Sequence, residues 1–332
     1  MVNFNEKQMI DNYAYIYNQR KEIEKISDDL CEKGFDLLFF TSSGGSLAMM
    51  QPFEQYVNQM SDIPVDSMIS ADLILLGNNR ITSNSVAFLT SKSGDTKETI
   101  EAAKYLKKIG VRLVSVVGVS NSPLEELSDY CIVYKEGRPQ ELIFYLLIGK
   151  ILYHHDAFKD YLNFADELEN LGAALVQVRV QADEKCKRYA EKFYKEPYNI
   201  WIGSGDLWPT AYSYSMCVLE ESQWIRTKSV SSAEFFHGTI ELLEENVCVT
   251  LLLTEGSTRT MDERVRDFAI NHTGKLTCFD TKDYELPGIS EKYRKYLSPV
   301  IMAAVLQRVS KNLEVITNHS LDIRRYYRKS EY

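Results

Sequence analysis

The sequence has no CxxC pair. Its six cysteines, Cys31, Cys131, Cys186, Cys217, Cys248 and Cys278, lie far apart, several inside apolar runs such as YCIVY and VCVTLLL. That spacing argues against a disulfide framework or a thiolate zinc site and fits reduced, buried thiols. Histidine is scarce, at five residues, and no Cys/His cluster has metal-ligand spacing, so no metal is expected. Long apolar runs are missing too. The greasiest stretch, LIFYLLIGKILY, is interrupted by Lys150 and is too short to span a bilayer. The opening MVNFNEKQMIDN lacks the basic-then-apolar order of a secretion signal. A cytoplasmic protein without a membrane partner is the expectation. There is no basic excess: the net charge is −9 over 332 residues. This argues against nucleic acid as a partner, while a local pocket can still take a small anion. Neither a lysine-containing phosphate loop of the Walker type nor GxGxxG occurs, so no nucleotide cofactor is required.

What is present is a set of short apolar runs alternating with helix-like ones. A charged, amphipathic segment over 1–34 predicts a leading helix ended by Gly34. DLLFF (36–40), SVAFLT (85–90), RLVSVVGV (112–119) and YCIVY (130–134) then read as strands within a domain over 35–150. A helical connector over 151–195 follows, continuing a helical pattern that starts near 139. The strand pattern restarts over 196–320 with NIWIGSGD, VCVTLLL and KLTCFD, and the last helix-like run is SPVIMAAVLQRVSKNLEVITN. A basic tail, 321–332, ends the chain. Alternation of this kind predicts an α/β fold with a mainly parallel sheet between helices. FLTSKSGDTKET resembles LLLTEGSTRTMDE, and LFFTSSGGSLA resembles IWIGSGDLWPT, so two copies of one αβα unit are expected.

Two strands end in small hydroxyl-rich loops, TSSGGS and SKSGDT, each opening a helix. Such loops present backbone N–H groups and the positive end of a helix dipole, and serine and threonine add donors without bulk. Gly94 allows close approach of the backbone. An ordinary capped helix, with Ser93, Asp95 or Thr96 as N-cap, is the competing reading for one loop. Two loops at strand carboxyl ends converge on one crevice in an open α/β sheet, and together they suit a single phosphate. Among the histidines, His154 and His155 read as structural or exposed and His272 as a surface residue, while His319 could be either. His237, in SSAEFFHGTIEL, stands out. Upstream, Glu220 and Glu221 close an apolar helix, where burial would raise a carboxyl pKa.

SGGSLAMM followed by SKSGDTKET resembles the sugar isomerase (SIS) domain, as two tandem flavodoxin-like units. The resemblance implies that Ser46, Ser91, Ser93 and Thr96 hold a sugar phosphate, with Lys92 assisting and Ser43, Gly45 and Ser204 as further substrate contacts. In related aminosugar enzymes a catalytic glutamate precedes a histidine by sixteen residues, the separation of Glu221 and His237; Glu234 matches a recurring E-x-x-H-G. AYSYSMCVLEESQWI, SSAEFFHG and the ending RRYYRKSEY are similar to the fructosamine 6-phosphate deglycases, the fructoselysine type included. Val218 stands where the synthase and isomerase members carry a lysine. The resemblance implies a metal- and cofactor-free hydrolysis of a phosphorylated sugar-amine. It implies a tail over the site that brings Arg324, Arg325, Arg328 or Lys329 to the substrate, and a homodimer or higher homo-oligomer with the site near the interface. A glucosamine 6-phosphate deaminase or a ketose–aldose isomerase would use the same scaffold, and a non-catalytic phosphosugar sensor is a third reading.

Overall fold

The computed structural model describes residues 1–134 and 139–330. The last two tail residues, Glu331 and Tyr332, therefore lie outside the described residues. The chain forms two compact units, one of Glu6–Gly172 and one of Ala173–Tyr332 with Met1–Asn5.

The first unit is built on five parallel strands: β1 (Leu38–Ser42), β2 (Val65–Ile69), β3 (Val86–Ser91), β4 (Arg112–Val117) and β5 (Tyr130–Val133), in the order β2-β1-β3-β4-β5. β1 and β3 are buried throughout. That is why they read as unbroken apolar runs: helices cover both faces of a parallel sheet. Alternate residues go to opposite faces. Phe39, Ala87 and Leu89 pack with Ala102, Ala103 and Leu106. Phe40 and Phe88 stack on each other, and Phe88 meets Phe144. The leading helix proves to be two, Glu6–Tyr17 and Arg20–Lys33, with Gln19 leaving helical geometry between them. Neither proline nor glycine marks that break.

The second unit repeats the plan with β6 (Asn199–Gly203), β7 (Thr227–Ser231), β8 (Cys248–Leu253) and β9 (Leu276–Asp280), all parallel, in the order β7-β6-β8-β9. Numbered within the repeat, this is the 2-1-3-4 order of the first sheet. The final helix, Glu291–Thr317, starts seven residues earlier than its apolar run suggests and contains Pro299. Tyr293 and Leu297 supply buried residues ahead of the proline.

Candidate functional site

In the order 2-1-3-4-5 the chain reverses direction across the sheet between β1 and β3, and ligands of such folds sit outside the strand ends at that point. Both hydroxyl loops are there. Ser42 Oγ donates to Thr90 O at 2.5 Å and ties the two strand ends together. After β1, Ser43 occupies the N-cap position of helix Gly44–Met60 without capping it through its side chain. Gly44 has φ 53°. Among the described residues the hydroxyls of Ser43 and Ser46 have no hydrogen-bond partner, although both residues are only half-buried. After β3, Ser91 Oγ accepts from Gly94 N at 3.0 Å and shares a hydrogen bond with Thr96 Oγ1 at 3.0 Å. Ser93 donates to Asp95. Thr96 stands at the N-cap of helix Lys97–Ile109, yet its side chain does not cap it. The hydroxyls therefore face one another and the loop, while the first helical N–H groups are left to other partners. Gly94, at φ 68°, sits so close to the loop after β4 that a Cβ would lie 2.2 Å from Ser122 Oγ. Lys92 is exposed, and its carbonyl accepts from Gly118 N at 3.1 Å.

The matching loops of the second unit have the same backbone and a different filling. Ser204 and Gly205 reproduce the geometry of Ser43 and Gly44, with Ser204 at φ −127° and Gly205 at φ 48°. Here the two loops are closed on each other. Ser204 Oγ donates to Thr258 Oγ1 at 2.8 Å, and Thr254 Oγ1 donates to the buried Asp206 carboxylate at 2.7 Å. Glu255, at the place of Lys92, is paired with Arg294 at 2.7 Å. Ser204, expected to touch substrate, is 3% exposed and spends its hydroxyl within the protein.

Glu221 follows an unusual segment. Helix Trp208–Tyr214 widens into a π-helical turn over Ser215–Glu220, returns to α-geometry at Glu221 and ends at Trp224, which is left-handed with φ 58°. π-turns and left-handed non-glycine residues both concentrate at functional sites. The apolar surroundings expected for Glu221 are not what the structure provides. The carboxylate is about one-third exposed and accepts from Arg324 Nε at 2.6 Å. The tail is fastened around it. Gln223 bonds Thr317 Oγ1 at 3.0 Å and His319 O at 2.9 Å, and the Arg325 guanidinium lies 3.9 Å over the Trp224 ring. His319 packs edge-on against the same indole. Lys329 is exposed.

Glu234 and His237 hang from the short helix Ser232–Phe235 after β7. Phe235 anchors that helix at 0% exposure, while Glu234 and His237 point to the surface. Neither side chain has a hydrogen-bond partner among the described residues, and none links His237 to Glu221. The other histidines are engaged locally: His154 with Asp28 at 2.6 Å, His155 against Phe35, and His272 stacked on Phe268. All six cysteines are free. Among the described residues no group of three His, Cys, Asp or Glu side chains could hold a metal ion, and no helix is long and apolar enough to cross a membrane.

One residue escaped the sequence reading. Asp262 is fully buried in helix Arg259–Ala269. Its Oδ1 accepts from Ser232 Oγ at 2.6 Å and its Oδ2 from Thr254 N at 3.2 Å. Burial pushes its carboxyl up to about 6, against the opposing pull of the Ser232 and Ser204 hydroxyls, the Thr254 N–H and Arg259. A signal was available. Asp262 stands eight residues after Thr254, as Thr99 stands eight after Ser91, so the second repeat carries a carboxylate where the first has a hydroxyl.

The two α/β units share one strand order, and the hydroxyl loops of the first stand at its switch point. Residues 36–152 match the SIS domain family. Along nearly its whole length it is similar to fructosamine deglycase FrlB of Bacillus subtilis, with 29% identity over 94% of this chain and 97% of the relative. Fructoselysine 6-phosphate deglycase of Escherichia coli O157:H7 is 22% identical over 92% of this chain and 89% of its own length. A crystal structure from Bacillus subtilis, described as a candidate phosphosugar isomerase, superposes with a TM-score of 0.90 at 29% identity, covering 94% of this chain and 97% of that one.

Proposed function

We propose that the chain is a deglycase that cleaves an N-substituted 1-amino-1-deoxyfructose 6-phosphate to glucose 6-phosphate and a free amino acid. The observation that carries the reading is the cradle at the ends of β1 and β3. Among the described residues the hydroxyls of Ser43 and Ser46 lack partners, and neither Ser43 nor Thr96 caps its own helix through its side chain. Ser91, Ser93 and Thr96 complete the phosphate site, Gly45 lets the backbone come close, and Lys92 adds a cation at its rim. The phosphate, remote from the reacting carbon, contributes binding energy that orients C1.

In the proposed reaction His237 moves the proton between ring oxygen and C2 carbonyl as the sugar ring opens. The Glu221 carboxylate takes a proton from C1, leaving an enolamine. Return of a proton to C2 yields the aldimine, and water divides it into aldose phosphate and amine. Positioned acid–base groups of this kind each contribute about 10²–10⁴ in rate. The tail supplies the amine-side contacts. Arg324, which meets Glu221 in the structure, transfers its guanidinium to the carboxylate of the substrate's amino acid and so releases the base. Arg325 and Lys329 extend that cationic rim, and Glu234 receives the substrate's amine or hydroxyls. Names of relatives over nearly the full chain support the same reading.

The test is incubation with phosphorylated fructose-lysine, glucose-lysine and fructose-aspartate, coupling glucose 6-phosphate release to its dehydrogenase. Release from at least one of them is expected. No release from any, together with turnover of glucosamine 6-phosphate or interconversion of ketose and aldose phosphates, would replace the deglycase with one of its scaffold relatives.

A further inference from the structure

We infer that Asp262 is a positioning residue for the reaction, acting through Ser232 on the segment that carries Glu234 and His237. The inference deepens the proposed function and rests on it for its kinetic part. Three observations carry it. The carboxylate has 0% exposure and joins two elements that otherwise end separately: the residue after β7 and the residue after β8. Ser232 is the first residue of the four-residue helix from which Glu234 and His237 project. That helix follows β7, the edge strand of its sheet, whose residues are mostly half-buried.

The chemistry explains why a carboxylate is used. Beside the Ser204 hydroxyl, two donors, the Ser232 hydroxyl and the Thr254 N–H, arrive from different elements, and a carboxylate offers an acceptor to each. An amide at this position keeps one acceptor and turns an NH2 toward the other donor, so a buried donor loses its partner. In the first repeat the neutral Thr99 stands at the equivalent position. In the second repeat Asp262 and Asp206 satisfy the donors from within, converting a place for binding into a fixed support. Below His237 N, which donates to Glu234 O at 2.9 Å, the backbone has Ser231 Oγ accepting from Glu234 N at 3.2 Å. The tie of Ser232 to Asp262 is thus followed along the chain by two local backbone hydrogen bonds that lead to the imidazole-bearing residue.

The experiment compares wild type, Asp262→Asn, Ser232→Ala and the double variant by kcat, KM and the imidazole Cε1–H resonance of His237. With five histidines in the chain, that resonance is assigned by its loss in His237→Gln. Each single variant is expected to lower kcat by about tenfold to a hundredfold, with KM held within about twofold, since small misplacement of a reacting group costs that much. The double variant should be no slower than Asp262→Asn. The His237 resonance should shift in Asp262→Asn while those of His154 and His155 stay. Unchanged kcat, single effects that multiply in the double variant, or an unmoved His237 resonance would overturn the inference. If Asp262→Asn does not fold, Ser232→Ala, which removes one hydroxyl, decides the matter alone by the same readouts. A wild type that releases no glucose 6-phosphate would end the proposed function, and the His237 resonance would still decide the role of Asp262.

Discussion

Glu221 and Arg324 meet at 2.6 Å, and this pair concentrates the residue-scale consequences. Glu221→Gln should lower kcat by about 10²–10⁴ while a competitive phosphosugar still binds, because the cradle belongs to other residues. Steady-state rates and inhibitor titration check both halves. Arg324→Ala should raise KM for a fructosamine phosphate bearing a carboxylate by about tenfold or more, as loss of a charge-assisted contact does. It should leave KM nearly unchanged for one whose substituent is a simple alkylamine. Equal effects on the two substrates would remove the arginine from recognition of the amine side. Asp262 makes a separate prediction for stability. Its folded-state pKa is about 6, raised from the ordinary 3.8 by burial. A carboxyl raised on folding is bound to its proton earlier in the native state, so acidification stabilises the fold through it. The stability advantage of wild type over Asp262→Asn should therefore grow as pH falls from about 7 through 6 and level off near 4. Urea unfolding at a series of pH values reads this directly, and a difference independent of pH would count against the assignment.

At the scale of elements, the strand-end loops decide what each repeat can do. Gly94→Ala places a Cβ at φ 68° and 2.2 Å from Ser122 Oγ. Both the left-handed backbone and the contact with the neighbouring loop oppose it, at a cost of about 1–3 kcal/mol for the strained residue. Phosphosugar affinity should fall with little change in the far-UV spectrum, measured by calorimetric titration and circular dichroism. The central strands β1, β3, β4, β6 and β8 were legible as apolar runs because both their faces are buried, and the edge strands β5 and β9 were legible because YCIVY and KLTCFD keep apolar residues. β2 (VDSMI) and β7 (TKSVS) were not. Each is an edge strand, partly exposed, and its polar residues are tolerated because only one side of its backbone must pair. The π-turn at Ser215–Glu220 was equally invisible, since no residue type specifies an extra residue per turn. It reorients Glu221 relative to the regular helix before it.

At the scale of the whole molecule, the resemblance implies a homo-oligomer with the site near the interface, and subunit mixing tests whether His237 serves the site of a second subunit. The imidazole is exposed and has no partner among the described residues of its own chain. Glu221→Gln and His237→Gln, each inactive alone, should regain activity when mixed under conditions of subunit exchange, because one of the two shared sites then keeps both wild-type groups. Sedimentation should show a dimer or larger assembly in the same buffer. A mixture that stays inactive while exchange is demonstrated would place the reaction within single chains.

Residue order alone determined the two-repeat α/β plan and the hydroxyl loops. Those depend on local periodicity and on short spacings within continuous segments. Three-dimensional packing alone decided how the strand-end loops of the second unit are filled, because Ser204, Asp206, Thr254 and Thr258 bond one another across some fifty residues of chain. It likewise decided that Arg324 faces Glu221 and that Asp262 supports Ser232. Hydrogen bonds between remote segments leave no period in a sequence, and their partners become known only when the fold sets the distance.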